Sequence, residues 1–112
     1  MMEINVKDQG GGVAVVSLNG RLNMVAAGRL REVISSTVAD GQSRVAIDLT
    51  GVEFMDSSGL GALISGLKTA RQAGGDLRIA EPNDQVKLVL HLTNLDRILT
   101  TYDHAETAFS DG

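Results

Sequence analysis

The feature that most constrains the fold is a change of hydrophobic period across residues 45–67. Val45-Ala46-Ile47-Asp48-Leu49 reads as an apolar strand, and Leu60, Leu63, Ile64 and Leu67 then recur at i, i+3, i+4 and i+7, the buried stripe of a helix. Between them lies the octad Phe54-Met55-Asp56-Ser57-Ser58-Gly59-Leu60-Gly61. A strand that hands directly to an amphipathic helix points to an α/β layer, in which each element buries its apolar side against the other. The junction also sets two serine hydroxyls at a helix N-terminus. Unpaired backbone N–H groups and the positive end of the helix dipole favour an anion there, by about 0.3–1 kcal/mol at an exposed site. Serine and aspartate are equally the ordinary residues of an N-cap. The octad therefore reads either as a cap or as a phosphorylatable switch.

Gly59, Gly61 and Gly66 fall inside the predicted helix, where each costs about 1 kcal/mol relative to alanine. Such a helix keeps its backbone bare for something that approaches closely. Running the helix from Ser58 at about 100° per residue puts Gly61, Ala62, Ser65, Gly66, Thr69 and Ala73 opposite the core stripe. All are small and uncharged, so this face is expected to point outward and dock a partner. A phosphate on Ser58 would stand at its head and add a charge of about −1.5 to −2 where the partner must sit.

The same periodicities organise the rest of the chain. Ile4 and Val6 alternate with polar residues, Gly10-Gly11-Gly12 turns, and Val13–Leu18 returns, a hairpin pattern. Ala26, Leu30, Val33, Ile34 and Thr37 mark a surface helix from Met24 to Ala39, which Gly41 ends. Gly74-Gly75 closes the octad helix, Leu77 and Ile79 form a strand, and Glu81-Pro82-Asn83-Asp84 opens a short helix through Val86, Val89 and Leu90. A last short strand is expected over Arg97–Thr101 and a weak terminal helix over His104–Phe109. The whole, residues 1–112, reads as one domain with parallel strand pairs after the initial hairpin.

Several functions are excluded. A net charge of −4 and a pI near 5.0 argue against nucleic acid, which needs clustered Lys and Arg. The chain has no cysteine, hence neither thiol chemistry nor cysteine-based metal sites. It has no apolar stretch of the length that spans a membrane, and Met1–Val6 lacks the basic and apolar regions of a signal peptide, so a cytoplasmic location is expected. The triple glycine is not followed by the Lys-Ser/Thr of a P-loop, and Ile64 stands where a dinucleotide fingerprint needs its third glycine. Neither serine sits in Gly-x-Ser-x-Gly. His91 and His104 have no base or ligand at motif spacing, and the acidic pair and lysine of a receiver domain are missing. No cofactor, metal or intrinsic catalysis is expected.

Taken together, the octad with its preceding strand, Gly20-Arg21-Leu22-Asn23, Ala73-Gly74-Gly75-Asp76-Leu77 and Leu92-Thr93-Asn94-Leu95 resemble the STAS domain of bacterial anti-sigma factor antagonists. The resemblance covers roughly residues 3–109. It implies an α/β STAS fold, with a mixed four- to five-stranded sheet, an N-terminal hairpin and about four helices. It further implies an anti-sigma factor that is also a serine kinase as the binding partner, and a metal-dependent serine phosphatase that reverses the modification. Carried onto this chain, the acceptor is Ser58, with Ser57 as the alternate. The expected partner-binding residues are Asn23, Asp56, Ser57, Gly59, Leu60, Gly61, Ala62, Ser65, Gly66 and Thr69. The free protein would be a monomer or weak dimer. Family members commonly carry aspartate where this chain has Asn23, which keeps a capping side chain but drops one charge. A scaffold or regulatory role in a signalling assembly outside transcription is the competing expectation.

Overall fold

A computed structural model describes residues 2–109. Strands β1 (Glu3–Gly10) and β2 (Val13–Leu22) form the antiparallel hairpin, followed by α1 (Met24–Ala39), β3 (Arg44–Met55), α2 (Ser57–Gln72), β4 (Asp76–Ala80), α3 (Asp84–Leu92) and β5 (Thr101–Tyr102). Single 3₁₀ turns lie at Leu95–Arg97 and Ala105–Thr107. The sheet runs β1-β2-β3-β4-β5, parallel from β2 onward. Right-handed crossovers that always step in one direction put their helices on one face. Accordingly α1, α2 and α3 share a single core with Val16, Leu18, Val45, Ile47, Leu49, Leu77 and Ile79.

The opposite sheet face carries the small residues Ala46 and Ala80 beside Val15, and the chain's last turn covers it with Ala105, Ala108, Tyr102 and Phe109. Arg78 fastens that cover. Its guanidinium lies 5.3 Å from the Tyr102 ring centre and 4.4 Å from that of Phe109, and donates to the Ala108 carbonyl at 2.6 Å.

The expected α/β mixed sheet with its hairpin is the observed one, with three α-helices and two 3₁₀ turns among the described residues in place of about four helices. The bounds of α1 agree, and Ala26, Leu30, Ile34 and Thr37 are buried, the Thr37 hydroxyl donating to Val33 O at 2.7 Å. Four readings need correction. The strand at 45–49 continues to Met55, because register shifts in its pairing with β2 carry it past Thr50-Gly51. The last strand lies at Thr101–Tyr102, since Leu95–Arg97 winds into a 3₁₀ turn, and only one such turn stands where a terminal helix was expected. The expected domain limits include Met1 and 110–112, which lie outside the described residues.

The last correction concerns the small-residue face of α2, which is outward only in part. Ala62 is fully buried and Gly66 is buried too, because α1 packs across this side of α2. A Cβ on Gly66 would lie 2.6 Å from Ile34 Cδ1 and 3.0 Å from Leu77 Cδ1. Gly59 and Leu60 are buried as well, so these four residues cannot offer a side chain to a partner. Gly61, Ser65 and Thr69 are half-buried and Ala73 is exposed. The close approach foreseen from the glycines is made by the chain itself.

Candidate functional site

The parallel strands β2 and β3 end level with one another, Leu22 opposite Met55. Each enters its helix through one capping side chain. Asn23 Oδ1 accepts from the Ala26 N–H at 3.1 Å, and Asp56 Oδ1 accepts from the Gly59 N–H at 3.0 Å. The Asp56 N–H donates to Leu22 O at 3.3 Å and ties the two junctions together. Two helix N-termini therefore stand side by side at one end of the sheet.

With Asp56 as the cap, Ser57 is the first residue of α2 and Ser58 the second. Ser57 is exposed and Ser58 half-buried. First-turn N–H groups have no intrahelical acceptor. Among the described residues neither serine hydroxyl has a hydrogen-bond partner. On the neighbouring N-terminus, at the start of α1, Met24 and Val25 are 74% and 76% exposed, an apolar pair on the surface. Phe54 lies half-buried under the Arg21 guanidinium, 4.6 Å from its ring centre. A cleft of about 450 Å³ opens nearby between Arg21, Asn23, Val25, Arg29 and Glu53, and neither serine lines it. No group of residues suited to hold a metal ion is found among the described residues.

The octad glycines have different jobs. A Cβ on Gly59 would lie 2.5 Å from the Leu22 carbonyl oxygen, a backbone atom that has nowhere to move, whereas a Cβ on Gly61 would find only Arg31 Nη2 at 3.6 Å. Gly59→Ala is expected to destabilise the protein by about 1–3 kcal/mol, as overpacking does. Gly61→Ala is expected to stabilise it by about 0.5–1 kcal/mol through helix propensity. Urea unfolding of the two variants checks both signs.

Two residues not singled out from sequence hold the junction from the other side. β4 pairs with β3 only as far as Asp48, so on that side the end of β3 has no strand neighbour. Side chains at the start of α3 take its place. Gln85 accepts from the Met55 N–H and donates to the Met55 carbonyl, both at 3.0 Å, and Asn83 Nδ2 donates to Val52 O at 3.0 Å and Glu53 O at 3.2 Å while Asn83 Oδ1 caps α3. Asn83 stood in a recognisable helix start; Gln85 carried no sequence signal. Gln85→Ala leaves both polar groups of the buried Met55 backbone without partners and is expected to cost about 1–3 kcal/mol in urea unfolding.

The STAS domain family model matches residues 4–108. The chain belongs to the STAS domain family. An anti-sigma-F factor antagonist of Mycobacterium tuberculosis, RsfB, is 32% identical over 106 residues, which cover 90% of this chain and 84% of that protein. The crystal structure of an anti-sigma factor antagonist from Mycobacterium paratuberculosis superimposes with a TM-score of 0.85 at 31% identity, over 99% of this chain and 93% of that one. The anti-sigma factor antagonist SpoIIAA, solved in its unphosphorylated form, shares the fold with a TM-score of 0.81 at 21% identity, over 94% of this chain and 92% of that one. No helix among the described residues is long and apolar enough to cross a membrane.

Proposed function

We propose that this STAS protein is an anti-sigma factor antagonist that binds a kinase-type anti-sigma factor when unphosphorylated, so freeing the sigma factor, and lets go when a serine of the octad is phosphorylated. It is a regulatory binding protein, not an enzyme. The observation that carries the switch is an exposed, hydrogen-bond-free hydroxyl on the first residue of α2, with Met24 and Val25 exposed on the neighbouring N-terminus of α1. The apolar pair supplies surface for a partner, and the hydroxyl supplies a place to spoil it. Exposure favours Ser57 over Ser58 as acceptor, reversing the order expected from sequence, because a kinase must enclose the hydroxyl and Ser58 is half-covered.

On this reading Met24, Val25, Asn23, Asp56, Ser57 and the half-buried Gly61, Ser65 and Thr69 form the contact surface, a metal-dependent serine phosphatase resets the switch, and the single domain works in the cytoplasm. The test is incubation with the anti-sigma factor kinase of the same organism and ATP, followed by peptide mass spectrometry. Wild type and Ser58→Ala should gain one phosphate at residue 57 and Ser57→Ala none. Phosphate on neither serine overturns the switch, and phosphate confined to residue 58 overturns the choice of acceptor.

A further inference from the structure

Among the described residues, the outer side of β1 is a free sheet edge over Glu3–Gly10. A regular, uncovered edge strand is a template for another strand unless a bulge, a proline or a covering segment blunts it. Here β1 pairs without interruption from Glu3 to Asp8, and its one register shift falls beyond, between Asp8 and Gly10. Glu3, Asn5, Val6, Lys7 and Asp8 are exposed, Val6 to 47%. Ile4 and Val6 stand opposite Leu18 and Val16, on the helix-covered side of the sheet, while Glu3, Asn5 and Lys7 point to the other side.

These residues are complementary to their own reverse. An antiparallel second copy centred on Asn5 sets Glu3 against Lys7 twice, on one face, and Ile4 against Val6 twice, on the other. Cross-strand pairs of opposite charge and of apolar residues are the favourable ones. Neighbouring registers lose them. Centring on Val6 puts Ile4 opposite Asp8 and Lys7 opposite Asn5, and a half-step between the two would set side chains of opposite faces against one another, which a two-fold antiparallel ladder does not allow. We propose that the protein forms a two-fold symmetric dimer by antiparallel β1–β1 pairing centred on Asn5, one continuous sheet with both helix layers on the same side. The pairing is isologous, so it closes on itself and does not propagate. β2 separates β1 from the octad strand, which leaves Ser57 open in the dimer.

The experiment is sedimentation equilibrium at low salt over a range of protein concentrations, using wild type, Glu3→Lys, Lys7→Glu and an equimolar mixture of the two variants. All these positions are exposed, and circular dichroism confirms that the variants fold. Wild type should show a reversible monomer–dimer equilibrium, and each reversal should weaken it about tenfold or more, because both pairs become like-charged. The mixture should regain wild-type association, since each chain then carries a single sign at both positions and the two signs meet. Wild type that stays monomeric at millimolar concentration overturns the proposal. So does a dimer indifferent to the reversals, or a mixture no tighter than its components.

Discussion

Ala62→Arg is expected to abolish cooperative folding at room temperature. Ala62 has no exposed surface and lies where α1 crosses α2, within the core that the three helices share with the sheet. A guanidinium there has neither room nor an anionic partner. Burying an unpaired charge costs several kcal/mol after relaxation, and the overpacking adds about 1–3 kcal/mol. Against a typical total stability of about 5–15 kcal/mol, that removes most or all of the margin. Ser65→Arg, on the half-buried flank of the same helix, is expected to cost about 1 kcal/mol or less, because its long stem reaches water. Urea unfolding followed by far-ultraviolet circular dichroism separates the two. An unchanged midpoint for Ala62→Arg would mean that α1 does not lie on α2.

The second large effect is on binding. Phosphate on Ser57 is expected to weaken the complex with the anti-sigma factor about a hundredfold, about 2.7 kcal/mol. The modification adds a charge of about −1.5 to −2 where Met24 and Val25 offer apolar contact, and docking must then strip water from a dianion. The fold itself should not suffer. The phosphate meets the free N–H groups of the first turn of α2 and the positive end of its dipole, so the thermal midpoint should stay level or rise slightly. Ser57→Asp, with less charge and a shorter reach, should reproduce about a tenfold loss. A fall in midpoint that parallels the fall in affinity would show that phosphate works by loosening the junction.

Much of this was legible in the residues, and what was not has physical reasons. The bounds of α1 follow from Asn23 as cap, a clean apolar stripe and Gly41 beyond the end. Asp56 likewise announces the start of α2, and the octad hydroxyls do lie in its first turn. The exposure of the two serines was harder to read, because it turns on where the helix starts. Starting the helix at Ser57 sends that side chain into solvent and Ser58 partly under cover. The small face of α2 was read correctly as a surface for close packing, but its Ala62 and Gly66 were assigned to the wrong neighbour. Periodicity shows that Gly66 and Ala62 admit another helix, and says nothing about whether that helix belongs to the same chain. The run of β3 past Gly51 was hidden because Thr50-Gly51 looks like a strand end, while here Gly51 passes close against Asn19. Gln85 was invisible, since its role depends on β4 stopping short of Met55, a matter of tertiary register.

The central claim is that one phosphate on Ser57 decides whether the partner is held. The most direct measurement is calorimetric titration of the anti-sigma factor kinase with two preparations of this protein, one unmodified and one stoichiometrically phosphorylated at Ser57. The unmodified protein should bind, and the phosphorylated one should bind about a hundredfold more weakly with unchanged circular dichroism. Equal affinities for the two preparations would contradict that claim.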